Sequence, residues 1–202
     1  RDMPEDMREY LKNINTAALK IRTLSRDLAD VARPRPIRSS LFPIEEPLEK
    51  AISLLQKVGQ IKRVEILRHY QSDIPQVCGD SSRLEQVFMN LIFNASHAML
   101  DMPEKILRFT TTYNSTEQLV RIAVSDTGCG IPSENLSKVF DPFFTTKQEC
   151  GGTGLGLSVV KTIIEEHGGS IHVESVTGGG ATFIISFPVQ QERRCAAADT
   201  CA

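Results

Sequence analysis

Two asparagines, Asn90 and Asn94, stand four residues apart in the string NLIFNA, and their type and spacing suit the binding of a metal ion. On a helix, this separation projects both amides from one face. An amide oxygen suits a hard cation, and Mg²⁺ takes few protein ligands while phosphates and water supply the rest. Two interpretations stay open: the pair binds a metal, or the amides hydrogen-bond nearby backbone groups, as buried asparagines usually do.

A second string, DTGCG at residues 126–130, directly follows a predicted strand. A carboxylate at a strand end, here Asp126, can accept a hydrogen bond from an exocyclic amine. Gly128 and Gly130 would let the backbone approach a flat ring closely. The alternative is an Asp-Gly turn with no ligand.

A third string, GGTGLGL at residues 151–157, leads into a predicted helix. Free N–H groups at a helix start form an anion site, and glycines let phosphate oxygens come near. The string fits neither the Walker pattern nor the Rossmann fingerprint. Just before it, FDPFFTTK at residues 140–147 carries three phenylalanines in a polar segment. This segment is either a flap with aromatic anchors or a loop tucked into the core, and Lys147 either reaches a phosphate or is solvated.

Apolar periodicity predicts the elements that must position these strings. The fold class expected is α+β, a two-layer α/β sandwich with three helices on one face of a mixed sheet, preceded by a long heptad helix. Ser82 is expected to cap the central helix, with Glu85 completing a capping box. The predicted helices span residues 46–58, 82–98 and 156–167, and the predicted strands span 40–42, 64–70, 75–78, 107–113, 119–125, 171–175 and 182–187.

The heptad helix is predicted over residues 4–32, where apolar residues recur every seven positions on two neighbouring rows. Such a helix either packs on its own domain or pairs in a dimeric bundle. The narrow seam with a period of 3.5 residues favours the bundle. One row is Met3, Tyr10, Ala17, Leu24 and Val31, and the other is Met7, Ile14, Ile21 and Leu28.

Composition excludes several classes of protein. The 202 residues carry 23 basic and 25 acidic side chains, a net charge of −2, which does not suit a strongly basic nucleic-acid binder. The sequence contains no run of 18 apolar residues, so it predicts no membrane span. Five cysteines without a CxxC spacing favour a reducing compartment over a disulfide framework or a zinc site. Because the chain opens with Arg1, we expect a fragment of a longer protein.

Taken in order, NLIFNA, DTGCG, FDPFFTTK, GGTGLGL and GGGATF resemble the ATP-binding domain of two-component sensor histidine kinases. These belong to the GHKL ATPases, which include gyrase and the heat-shock chaperone. The resemblance covers residues 80–187 in motif detail. The string LADVARP, which ends the heptad helix, looks like the second helix of that family's dimerisation hairpin, and FFTTK looks like the nitrogen-regulation subgroup.

The resemblance implies an organisation and a set of partners. Residues 1–36 would be a dimerisation helix from an incomplete hairpin, 37–190 the ATP-binding catalytic domain, and 191–202 a flexible tail. The domain would bind ATP with Mg²⁺ and transfer the γ-phosphoryl group to a histidine. Its partners would be a second copy, through the heptad helix, and a response regulator, with no nucleic acid and no membrane contact. The expected location is cytoplasmic, with a membrane anchor conceivable in a longer protein.

The resemblance also implies roles for single residues. Asn94 would bind Mg²⁺, and Asn90 would support the metal or the phosphates. Asp126 would receive the adenine amino group. Residues 140–153 would form a mobile lid. The further nucleotide-binding residues expected are His97, Gly128, Gly130, Phe140, Thr146, Lys147, Gly152, Thr153, Gly154, Leu155, Gly156 and Thr182.

Some positions depart from the family pattern. Cys150 stands where a glycine is usual, and Ala181 replaces a common threonine, which puts the role of Thr182 in question. His97 stands where many members carry a phosphate-contacting lysine or arginine. The acceptor histidine of the family lies on a preceding helix beside an acidic residue. None of the four histidines, His69, His97, His167 and His172, has that context, so we expect the acceptor outside this chain.

Two other functions fit this sequence less well. The first is an ATP hydrolase or ATP-gated clamp of the gyrase and chaperone kind. Those relatives place a glutamate one turn before the metal-binding asparagine, where this chain has Asn90, and an amide cannot take a proton from water at neutral pH. The second is a dimer module with a relic pocket. The intact glycine strings argue against it, because glycine carries an entropic cost where it has no use.

Overall fold

The computed structural model describes residues 39–61, 63–146 and 153–189, together with Met7 and Tyr10. Within these ranges the helices are α1 (Glu45–Lys57), α2 (Ser81–Ala98), α3 (Ser133–Leu136) and α4 (Gly156–Glu166). The strands are β1 (Ser40–Phe42), β2 (Glu65–Tyr70), β3 (Val77–Gly79), β4 (Ile106–Asn114), β5 (Leu119–Asp126), β6 (Ser170–Ser175) and β7 (Ala181–Pro188).

The main sheet has five strands in the order β2-β4-β5-β7-β6. The β2–β4 pair is parallel and the other neighbours are antiparallel, so the sheet is mixed. Strands β1 and β3 form a separate antiparallel pair. Alternation along β5 buries Val120, Ile122 and Val124 on one face of the sheet. The helices cover this face, which confirms the predicted α+β sandwich.

The core lies between the sheet and helices α1, α2 and α4. Each helix presents an apolar stripe at helical spacing, as in Leu84, Val87, Phe88 and Leu91 of α2, all at most 1% exposed. These stripes pack against buried sheet residues such as Phe109. The three long helices were therefore predictable from their period, whereas the single turn of α3 is too short to show one and was not anticipated.

The start of α2 differs from the prediction. Asp80, not Ser82, is the N-cap, and its Oδ1 accepts from the backbone N–H groups of Ser82 (2.9 Å) and Arg83 (3.2 Å). The capping box with Glu85 is therefore wrong. Asp and Ser are almost equally good caps, so propensity could not choose between neighbouring candidates.

Cys78 in β3 is buried, at 7% exposed. Cys129 is a free, exposed thiol. Among the described residues, none of the helices is both long and apolar enough to cross a membrane. The predicted heptad helix and tail lie outside the described residues, apart from Met7 and Tyr10, which are helical.

Candidate functional site

One stripe of α2 carries three of the predicted site residues. Asn90, Asn94 and His97 lie at spacings of four and three, so they follow one another along the helix. Asn90 is 8% exposed, and its Nδ2 donates to the carbonyl of Gly156 at 3.3 Å. Asn94 and His97 are half-buried, and the His97 ring lies 4.3 Å from that of Phe93. Asn90 thus bonds a backbone group, as one of the two interpretations expected.

The bond from Asn90 brings α2 to the N-terminus of α4. Among the described residues no side chain caps α4, whose first N–H groups follow Leu155. An uncapped helix start offers backbone donors and a partial positive charge to an anion. Thr153 is exposed, and its Oγ1 accepts from the Leu155 N–H at 3.4 Å. The predicted residues Thr153, Gly154, Leu155 and Gly156 therefore lie beside Asn90 at a helix start suited to phosphate.

Gly154 meets the predicted lid segment at Phe143. Its φ is +70°, and a Cβ there would lie 2.3 Å from the carbonyl carbon of Phe143. Phe143 donates its N–H to the Gly154 carbonyl at 3.0 Å and itself has a φ of +66°. Glycine is required at position 154 because a side chain would both strain the backbone and collide with Phe143. This contact joins the described segments that lie on either side of residues 147–152.

The three phenylalanines of the lid segment lie in different environments. Phe140 packs edge-on against Phe183, with ring centroids 6.4 Å apart, which matches the interpretation of a segment tucked into the core. Phe143 is 73% exposed. Thr146 is exposed. Lys147, Cys150 and Gly152 lie outside the described residues.

Asp126 ends β5 and is 8% exposed. Its Oδ1 accepts from the backbone N–H of Gly128 at 2.8 Å, so the DTGCG loop orients its own carboxylate. Asp126 pairs with Ala181 across the sheet and therefore lies on the helix-covered face. A buried, oriented carboxylate can accept a hydrogen bond from an amine with little competition from water.

The glycines around Asp126 are needed for close packing within the protein. A Cβ at Gly128 would lie 2.6 Å from the Cβ of Ala98 in α2. At Gly130, where φ is +72°, a Cβ would lie 2.2 Å from the carbonyl oxygen of Val176 in the β6–β7 turn. The sequence had suggested that these glycines admit a ring. The structure gives a different physical reason, since they let the loop fit between α2 and the turn.

Helix α2 also holds the DTGCG loop, residues 126–130. Cys129 donates its N–H to the carbonyl of Ala98 at 3.1 Å. Thr127 Oγ1 accepts from the N–H of Ile106 (2.9 Å) and donates to the carbonyl of Glu104 (3.0 Å). The loop carrying Asp126 and the start of α4 are thus both fastened to α2, with Asn94 between the two attachment points.

The structure places the side chain of Thr182 apart from that of Asp126. Thr182 pairs with Ser125, and its Oγ1 donates to Ser125 Oγ at 2.9 Å. Because side chains alternate along a strand, Thr182 lies on the opposite face of the sheet from Asp126. Ala181, which the sequence had set aside, is the β7 residue beside Asp126.

The side chains at this site suit one kind of metal ion. Among the described residues there is no cluster of three histidine, cysteine, aspartate or glutamate side chains that could hold an ion. A single half-buried amide such as Asn94, next to a helix start suited to phosphate, fits a Mg²⁺ ion that takes its remaining ligands from phosphates and water.

Sequence reasoning missed three residues at this site. Thr127 holds the Asp126 loop, Ala181 lies beside the carboxylate, and Gly180 has a φ of +84° where a Cβ would lie 1.9 Å from the Asp126 carbonyl oxygen. The run of glycines before Ala181 was a signal for the last of these. No local signal distinguishes Thr127 from any other threonine in a turn.

Comparisons with known proteins identify relatives of this chain. The family model described as histidine kinase-, DNA gyrase B-, and HSP90-like ATPase matches residues 79–191. The histidine-protein kinase AtoS of Escherichia coli K12 is 33% identical over 184 residues, which are 91% of this chain and 29% of AtoS. Sporulation kinase E of Bacillus subtilis is 34% identical, over 90% of this chain and 24% of that kinase. The chain thus spans less than a third of these curated relatives.

Solved structures are similar as well. The catalytic domain of histidine kinase ThkA is 31% identical, with a TM-score of 0.65, over 76% of this chain and 99% of that domain. ThkA in complex with the response regulator TrrA is 26% identical, with a TM-score of 0.70, over 94% of this chain and 53% of that one.

Proposed function

The chain belongs to the histidine kinase-, DNA gyrase B-, and HSP90-like ATPases and is homologous to sensor histidine kinases, and we propose that it binds MgATP and transfers the γ-phosphoryl group to a histidine outside this chain. The observation that carries the proposal is the bond from Asn90 to Gly156, which joins the asparagine-bearing helix to an uncapped helix start. A phosphate site and a metal-ligating amide are thereby adjacent.

Each group has a task in this proposal. The first N–H groups of α4, after Leu155, bind phosphate oxygens, and the backbone of Thr153 and Gly154 borders them. The buried carboxylate of Asp126 accepts the adenine amino group and so orients the nucleotide. His97, on the same stripe of α2 as Asn94, faces the phosphates. Phosphoryl transfer depends on positioning and charge neutralisation more than on covalent catalysis, which suits such a site.

The Asn94 amide oxygen would hold Mg²⁺, with Asn90 fixing the helix against the phosphate loop rather than binding the metal. When bound, the ion neutralises charge on the phosphates and helps to orient them. The chain's own contribution is the placement of the amide and of the α4 donors, and the exclusion of water by the half-buried stripe of α2.

The gyrase-like alternative is not favoured. It requires a general base one turn before Asn94, and the side chain there is an amide whose Nδ2 already donates to Gly156. An amide in that bond neither accepts a proton from water nor is free to turn toward one.

The proposed partners extend beyond the described residues. ThkA has been solved with a response regulator, and we propose a response regulator as the protein that receives the phosphoryl group from this kinase. The homodimer through residues 4–32, the nitrogen-regulation subgroup and the cytoplasmic location stay predictions. No nucleic-acid or membrane partner is proposed.

The experiment uses labelled ATP and two proteins: this chain, and a longer protein that carries the acceptor helix ahead of residue 1. We expect both to bind MgATP in calorimetry and only the longer one to acquire acid-labile label. Asn94→Ala should abolish transfer and the Mg²⁺-dependent part of binding. Asn135→Ala, in α3, is the matched control, because Asn135 is half-buried as Asn94 is, and it should leave both unchanged. MgATP binding that is equally strong in Asn94→Ala would refute the metal site.

A further inference from the structure

His167 is a buried histidine to which the proposed chemistry gives no role. It directly follows α4 and is 5% exposed. Its Nδ1 lies 2.6 Å from the carbonyl of Ile163, and its Nε2 accepts from the backbone N–H of Asp80 at 2.9 Å. A carbonyl needs a donor and an N–H needs an acceptor. The two bonds therefore define a neutral ring with its proton on Nδ1.

The surrounding backbone is shaped to this ring. A Cβ at Gly79 would lie 2.2 Å from His167 Cδ2, so only glycine leaves room. Phe187 contacts the ring edge-on, with centroids 6.5 Å apart. Asp80, whose N–H the ring accepts from, is also the N-cap of α2. The histidine thus ties the residue that begins α2 to the last turn of α4.

Two ties now join α2 and α4 at opposite ends. Asn90 bonds Gly156 at the phosphate end, and Asp80 bonds His167 at the far end. At 1.5 Å per residue, about 15 Å of α2 and about 16 Å of α4 separate the two ties. The two segments match in length, so both bonds form at a single register of one helix against the other. The Arg83–Glu166 ion pair lies at the far end as well.

We propose that His167 is a positioning residue of the nucleotide site: by tying the end of α4 to the start of α2, it fixes the register that holds Gly156 against Asn90. This register determines where the backbone N–H groups at the start of α4 lie relative to Asn94, which is one turn after Asn90 on α2. The inference rests on the proposed function, because it assigns His167 a role through the MgATP site.

Protonation of His167 should release the tie. Burial lowers the pKa of His167 below its ordinary 6.5, and Arg83 on α2 acts in the same direction. The bond to Ile163 and the charges of Asp80 and Glu166 act against this lowering. Once Nε2 is protonated it cannot accept from Asp80. Nucleotide affinity should therefore weaken as pH falls below 6.5.

The test measures the Kd for MgATP in wild type, His167→Leu, His167→Gln and His172→Gln, at temperatures where urea unfolding shows each to be folded. Glutamine can accept from the Asp80 N–H but does not titrate. His172, on the exposed face of β6, is the matched control. We expect His167→Leu to raise Kd by between about twofold and about thirtyfold. His167→Gln should raise it less, and His172→Gln should leave it unchanged.

The second part of the test measures the same Kd for MgATP at pH values from about 7.5 to about 5. Weakening toward low pH should be steeper in wild type and His172→Gln than in His167→Gln, because protonation of the ATP phosphates affects all three proteins alike. If His167→Leu does not fold, this comparison alone decides. Folded His167→Leu with wild-type Kd, or His167→Gln with the wild-type pH profile, would overturn the inference while leaving the proposed function intact. A wild type that does not bind MgATP would instead refute the proposed function.

Discussion

Replacing Asp126 by asparagine tests the adenine contact with almost no change in shape. In the structure, Oδ1 of Asp126 accepts from the N–H of Gly128 at 2.8 Å. The asparagine carbonyl must keep that position, because its amino group cannot accept. The amino group is then forced into the place of the second carboxylate oxygen. A donor therefore faces the adenine amino group, which is also a donor.

The magnitude follows from the environment of this side chain. Asp126 is 8% exposed, so water cannot replace the lost acceptor. Loss of a hydrogen bond to a charged group costs about 1.5–3 kcal/mol. At about 1.4 kcal/mol per factor of ten, the Kd for ATP should rise by roughly 10- to 150-fold.

The assay is calorimetric titration with MgATP and with purine riboside triphosphate, which lacks the 6-amino group. Asp126→Asn should weaken binding of ATP far more than binding of the analogue. Asp73→Asn is the matched control, because Asp73 is exposed and follows β2 at the end of the sheet away from Asp126. An unchanged Kd for ATP, or an equal loss for both nucleotides, would show that Asp126 does not recognise the amino group.

Three further predictions concern the fold, the assembly and the acceptor. Gly180→Ala should lower the free energy of unfolding by about 2–5 kcal/mol in urea titration, because a Cβ there collides with a strand carbonyl at a φ of +84°, whereas Gly178→Ala, at +79° in open space, should cost about 1–2 kcal/mol. Replacing Ile21 and Leu24 by lysine should abolish any dimer seen in sedimentation, and a dimer that survives must use another surface. Incubated alone with labelled ATP, this chain should acquire no acid-labile label. Label that disappears in His97→Gln would instead make His97 the acceptor.

Much of the fold was predictable because its signals are local. The apolar stripe of α2 and the alternation in β5 each lie within one element, and both elements formed close to the predicted bounds. The turn after Asn114 is also held by local contacts, since the Asn114 side chain accepts from the N–H groups of Thr116 and Glu117. The spacing of apolar residues was therefore enough to identify these elements as helix or strand. The position of a helix cap was less predictable, since Asp80 caps α2 two residues before the predicted Ser82.

The order of the motifs also lies in the sequence itself. NLIFNA, DTGCG, FDPFFTTK, GGTGLGL and GGGATF indicated a nucleotide site of this family before any contact was known. The family model and the similarity to the ThkA catalytic domain agree with that interpretation. Motif order is visible because each motif is short and keeps its own pattern.

Contacts between distant residues could be decided only by the tertiary structure. Asn90 bonds a carbonyl 66 residues away, and the Asp80 N–H bonds a histidine 87 residues away. The face taken by Thr182 depends on pairing with Ser125, 57 residues earlier, and a shift of one residue would have reversed it. The sequence by itself determined which residues are available and which elements carry them. Strand register and helix docking decided which of them meet, since those depend on packing the whole core at once.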